Sequence, residues 1–176
     1  MKKAKKHTKK HSKKGFSLIE LLIVVAIILI IAAIAIPNLL RSRIAANEAS
    51  AVGSLRTLNT AEITYNVTYP GNGFACTLSV LGPPASGGSV SSSTAGLIDS
   101  NLAGGVKSGY SFAVLSSTCA PANGINTVYD VGASPVSPGV TGGRYFCTDS
   151  SGVIQYRADQ TFADTNGVCS TGGNPL

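Results

Sequence analysis

Acid–base and nucleophilic chemistry has little to work with in this chain. Both histidines, His7 and His11, stand in a lysine-rich stretch at the N-terminal end, so no Ser/His/Asp or Cys/His constellation can be assembled beyond it. One carboxylate, by contrast, is out of place. Glu20 follows Gly15 by five residues in Lys13-Lys14-Gly15-Phe16-Ser17-Leu18-Ile19-Glu20, and every side chain at positions 21–36 is apolar. The apolar run resumes at Leu39 and Leu40, after Pro37 and Asn38. About 20 such residues span the roughly 30 Å hydrocarbon layer of a bilayer. An ionisable group near the start of a spanning helix costs up to about 3 kcal/mol, depending on depth, which marks Glu20 as a group with a task.

The formal net charge of +6 misleads about partners. Eight lysines fall within the first 14 residues; beyond Gly15, six basic and eight acidic side chains remain, a formal balance of −2. Nucleic-acid binding through a basic surface would therefore rest on the leader alone, and none is expected. The leader reads instead as a topology signal that keeps the N-terminus cytoplasmic and exports the C-terminal part. A conventional secretory leader would be cut after the apolar run, and Ala32, Ala33 and Ala35 imitate such a site. Against that alternative, the helical pattern continues past Pro37, and Glu20 would have no role in a disposable segment.

The elements that must position Glu20 follow from periodicity. Residues 16–66 read as one helix, roughly 75 Å long, apolar and protruding over 16–40 and amphipathic over 41–66. On the second half, Ile44, Ala51, Leu55, Leu58 and Tyr65 share a face, while Arg41, Arg43, Asn47, Glu48, Arg56 and Asn59 are assigned to polar surface. Pro37 lacks the amide of the helical ladder and is expected to weaken the helix locally. Tyr69-Pro70-Gly71-Asn72-Gly73 stops the helix. Residues 67–176 then form one small exported head. It comprises a connecting loop over 67–109, an antiparallel sheet of about four strands over 110–157, and a polar tail over 158–176. The strands are expected at 110–115, 127–131, 144–148 and 153–157, the last two joined through Asp149-Ser150-Ser151-Gly152 as a hairpin. The fold class is α+β.

Four cysteines in an exported domain suggest two disulfides. Of the three possible pairings we favour Cys147–Cys169, which pins the tail to the hairpin, and Cys76–Cys119, which pins the connection to the sheet. Asp149, Asp159, Asp164 and Asn166 are the sole candidate cation ligands; their spacing matches no EF-hand loop, and neither a metal nor another cofactor is expected. Asn66-Val67-Thr68 has the form of a glycosylation acceptor but falls at a helix end, where a turn explains it. No aromatic residue occurs from position 17 to 64, so an aromatic conduction stripe finds no support.

The segment Gly15-Phe16-Ser17-Leu18-Ile19-Glu20, the apolar run and Pro37 together resemble the type IV pilin and pseudopilin superfamily. The likeness is specific over about residues 13–40 and architectural beyond. The resemblance implies that residues 1–15 are a leader removed by a membrane-embedded prepilin peptidase, which cuts between Gly15 and Phe16 and methylates the new amine of Phe16. It makes Glu20 the fifth residue of the mature chain, the position the family uses for assembly, and it implies a locally melted helix just before Pro37. It further implies an inner-membrane anchor, an ATPase-driven assembly platform and a helical homopolymer serving twitching, adhesion or DNA uptake. Two alternatives stand beside the pilus subunit: a pseudopilin of a type II secretion system, and a periplasmic binding module on a prepilin-type anchor. No enzymatic activity is expected.

Overall fold

One helix supplies more than a quarter of the chain. In the computed structural model, which describes residues 15–115, 124–158, 162, 169 and 173–176, α1 covers Leu18–Thr68, 51 residues with Pro37 inside. Helix formers and apolar side chains dominate its first half, and its single proline removes the donor that would meet the Ala33 carbonyl. The chain divides into two units, Met1–Leu39 and Leu40–Leu176.

In the second unit, the C-terminal part of α1 contributes Ala51, Leu55, Leu58, Ala61 and Tyr65 to one hydrophobic core. The opposing side chains come from an antiparallel sheet that, among the described residues, has six strands in sequential order: β1 (Val106–Lys107), β2 (Tyr110–Val114), β3 (Asp130–Pro135), β4 (Tyr145–Asp149), β5 (Ile154–Arg157) and β6 (Asn174–Pro175). Alternation decides which residues face α1. Tyr110 and Phe112 of β2, Val131 and Ala133 of β3, and Phe146 of β4 enter the core with Tyr129 and Ile154. Cys147 points to the other side of β4, where it clusters with Phe162 and Cys169. The sheet thus has a second buried patch, and the tail supplies it.

The expected hairpin is present: Phe146 pairs with Tyr156 and Thr148 with Ile154. Its turn is closed by the Gly152 amide donating to the Asp149 carbonyl at 2.8 Å, with Gly152 at φ 74°, a left-handed conformation that glycine adopts without penalty. The third strand differs from expectation. It runs over Asp130–Pro135 rather than 127–131, through Gly132, Ala133, Ser134 and Pro135, residues of poor strand propensity. Packing overrides propensity there, because Gly132 lies under the Leu115 side chain, where a Cβ would sit about 3.0 Å from Leu115 Cδ1. Pro135 falls beyond the β3–β4 pairing, which ends at Ala133 opposite Phe146, so its missing amide breaks no ladder on that side.

The connecting region is also more structured than its composition implies. Two four-residue helices, α2 (Leu78–Leu81) and α3 (Ser100–Ala103), bury Leu78, Leu81 and Leu102 in the same core. Asp99 caps α3 by accepting from the Asn101 and Leu102 amides, each at 3.1 Å. Its carboxyl lies below the usual range, first because Lys107 donates to it at 2.9 Å and then through the Leu102 amide.

Candidate functional site

The first half of α1 is hydrophobic on every side and buries almost none of it. From Leu18 to Leu40, sixteen large aliphatic side chains remain exposed, between 44% and 81% of each accessible. Full burial of such a side chain is worth roughly 1.5–3 kcal/mol, so this surface represents tens of kcal/mol left for lipid or for other helices to cover. Among the described residues this is the one helix long and apolar enough to cross a membrane. Gly15 and Phe16 precede the first turn. A side chain placed on Gly15 would meet nothing within 4 Å, and Phe16 is 74% exposed, so the bond between them is open to approach. The ladder begins with the Leu21 amide donating to the Ser17 carbonyl at 3.2 Å. Glu20 lies in that first turn, where the helix dipole favours a negative charge. No ion pair reaches Glu20 among the described residues.

The second half of α1 treats its acids in the opposite way. Glu48, assigned from the sequence to polar surface, is buried. Its Oε1 accepts from the Gly143 amide at 2.9 Å and the Arg144 amide at 3.2 Å, and its Oε2 accepts from Arg144 Nε at 2.8 Å and pairs with Nη2 at 2.8 Å. Two backbone donors and a guanidinium satisfy this one carboxylate, which fixes the loop before β4 against the helix. Tyr110 adds a further tie by donating its hydroxyl to the Arg144 carbonyl at 2.8 Å. Burial, and after it the charge of Glu48, pushes the Tyr110 phenol well above its ordinary range. Three turns further along, Asn59 is also inward: Tyr129 donates to its side-chain Oδ1 at 3.1 Å, and its side-chain amide donates to the Thr148 hydroxyl at 2.9 Å.

Glu62 is fully buried. Its Oε2 accepts from the Ala75 amide at 2.8 Å, holding the segment that follows the helix, while Oε1 is buried without a hydrogen-bond partner. Burial pushes its carboxyl up to about 7, the Ala75 amide opposing that shift. Tyr129 is pushed up to about 12 by burial and then by the charge of Glu62. The signal for these inward acids was in the spacing. Glu48, Ala51, Leu55, Leu58, Glu62 and Tyr65 recur at steps of three and four, so both acids occupy core positions that side-chain type alone disguised.

The remaining sequence candidates divide between described and undescribed residues. Cys147 and Cys169 form a disulfide. Cys119, the expected partner of Cys76, lies outside the described residues, as do Asp159, Asp164 and Asn166. Asp149, the fourth candidate cation ligand, has both oxygens occupied by the chain: Oδ1 accepts from the Ser151 amide at 2.9 Å and Oδ2 from the Cys169 amide at 3.1 Å. It holds the hairpin turn and the tail together. Among the described residues no three His, Cys, Asp or Glu side chains converge as a metal site would require.

A long N-terminal apolar helix, an antiparallel sheet packed on its C-terminal part and a disulfide-held tail fit the α+β fold of a pilin. Comparison with known proteins points the same way. Residues 10–36 match the family described as the prokaryotic N-terminal methylation motif. Over 35 residues the chain is 69% identical to the type IV wide pilus major component PilA4 of Thermus thermophilus, a stretch that covers 20% of this chain and 27% of that protein. No solved structure matches. The motif and the identity liken the N-terminal segment of this chain to that of type IV pilins, and the matched stretch spans about a quarter of the relative's length.

Proposed function

We propose that this protein is the structural subunit of a type IV pilus. Residues 1–15 act as a cytoplasmic leader. A prepilin peptidase cuts between Gly15 and Phe16 and methylates the amine it exposes. Residues 16–40 hold the chain in the inner membrane with the head exported. An ATPase-driven platform then transfers subunits into a filament whose core is built of these helices. The supporting observation is a helix apolar all round, left uncovered by its own chain, with a single carboxylate in its first turn.

The chemistry of assembly is local. Cleavage would place a cationic amine on Phe16, and Glu20 offers a carboxylate in the same low-dielectric layer. The amine of an incoming subunit neutralises Glu20 of its neighbour. At 4 Å and an effective dielectric near 20 the attraction is about 4 kcal/mol before desolvation is subtracted. Buried pairs often only break even against apolar packing, while loss of one partner costs about 3–5 kcal/mol. The pair therefore sets the register of stacking more than its strength. Pro37 leaves one carbonyl of the ladder unmatched and gives the packed helix a point at which it can yield.

The test is the mass of the membrane-held chain, together with electron microscopy of sheared filaments. A mature polypeptide starting at a methylated Phe16, recovered from surface filaments, is the expected result. A polypeptide that begins after residue 40 would overturn the reading. Short filaments confined to the periplasm would instead mark a secretion pseudopilin, and a bound small ligand with no filament would mark a binding module.

A further inference from the structure

A half-enclosed groove of about 370 Å³ opens in the second unit, lined by Leu40, Arg43, Asn47, Ser108, Gly109, Val140 and Thr141. Its composition is unusual. Its apolar lining is exposed, with Leu40 53% and Val140 67% accessible. Beside these lie hydroxyls and the Arg43 guanidinium, which has no ion pair among the described residues. The groove is also held in shape. Asn47 donates to the Thr141 carbonyl at 2.8 Å, and Ser50 donates to the Ser108 hydroxyl at 2.9 Å. A side chain on Gly109 would fill it, since a Cβ there falls 2.9 Å from Thr141 Cβ and 3.1 Å from Asn47 Nδ2.

The position of Arg43 in the chain narrows what this groove accepts. Leu40 is both the last residue of the apolar run and a wall of the groove, and Arg43 lies less than one helical turn beyond it. In the membrane-held subunit proposed above, on which this inference rests, that places Arg43 at the lipid headgroup level of the exported leaflet. Positive charge on the exported flank is disfavoured as a topology signal; eight leader lysines already supply that signal, leaving Arg41 and Arg43 without a topological role. A guanidinium beside an apolar wall suits a ligand with a phosphate and an acyl chain.

We infer that this groove binds the phosphate headgroup of an anionic phospholipid while the subunit awaits assembly, Arg43 pairing with the phosphate and Leu40 and Val140 contacting the upper acyl chain. The docked lipid would steady the head at the bilayer surface and leave as the subunit enters the filament.

The test uses the full chain reconstituted in nanodiscs of phosphatidylethanolamine with phosphatidylglycerol, and in nanodiscs of phosphatidylcholine alone, with bound lipid counted by native mass spectrometry. Retention of phosphatidylglycerol is expected to fall about tenfold in Arg43→Gln, the loss of one charge-assisted contact, and to persist in Arg43→Lys and Arg56→Gln. Val140→Asp, which places a carboxylate among the apolar lining without altering the helix, should lower retention by at least as much. Equal retention of phosphatidylcholine, undiminished phosphatidylglycerol in Arg43→Gln, or a second copy of the chain held in place of lipid would overturn the inference while leaving the membrane anchor intact. Failure of the chain to enter the nanodisc at all would overturn both.

Discussion

The two halves of α1 place carboxylates in opposite circumstances. In the first half Glu20 stands in an apolar surface with no ion pair from the described residues, whereas in the second Glu48 receives two amides and a guanidinium, and Glu62 one amide, inside a finished core. The contrast separates two uses of one residue type. An acid whose donors come from its own chain fixes that chain's fold; an acid in greasy surroundings without such donors asks for them from elsewhere. The first half is thus left incomplete by design of the sequence, and the second is closed on itself.

The sharpest way to break that contrast is Glu20→Ala. Filaments should disappear while leader removal and membrane insertion continue, as read by microscopy and by the mass of the membrane fraction. Normal filaments from this variant would show that the carboxylate is passive. Glu48→Ala should do the reverse, costing about 3 kcal/mol of head stability by removing the acceptor of the Gly143 and Arg144 amides and of the part-exposed Arg144 guanidinium. Urea unfolding of the full chain in detergent measures it, and Glu48→Gln, which still accepts from the amides, should recover about half. Replacing Cys147 and Cys169 by serine removes a crosslink spanning 22 residues, worth about 3 kcal/mol in the chain-entropy description. The same unfolding experiment reports it, with membrane insertion expected to be unaffected.

The smallest effect concerns pH. The Glu62 carboxyl lies at about 7 in the folded chain against 4.5 as its ordinary value. The folded state therefore holds a proton that the unfolded state has already released between those values. Stability from this group is fully present below about 4.5 and is lost as pH rises through about 7, a decline of up to about 3 kcal/mol. Unfolding of wild type at successive pH values should trace that decline, and Glu62→Gln should flatten it. A slope unchanged by the substitution would show that Glu62 meets its charge with a partner after all.

What the sequence reveals differs between these regions for physical reasons. The apolar half of α1 is legible because its signal is one-dimensional: an apolar run carrying one acid needs no tertiary context. The extent of α1 and the hairpin through Asp149 and Gly152 are likewise written in local pattern, whereas Cys147–Cys169 was only the favoured one of three possible pairings. Glu48 and Glu62 were hidden because residue type outweighed position in the reading of the helix face, although the three–four spacing includes both. Strand β3 was misplaced because Gly132, Ala133 and Pro135 carry no strand propensity, and their place is decided by Leu115 and by neighbours distant in sequence. Helices α2 and α3, at four residues each, are shorter than the window of about 11 residues over which a helical period can be read.

One consequence concerns the borders of the sheet. A protein that gathers into a polymer must restrict the manner of gathering, and an open β-edge is the commonest route to the wrong one. Here both outermost strands are two residues long, and the last ends in Pro175, which offers no amide to an approaching chain. Strand addition is disfavoured on either flank of the described sheet, as the helix-stacked filament proposed above would require.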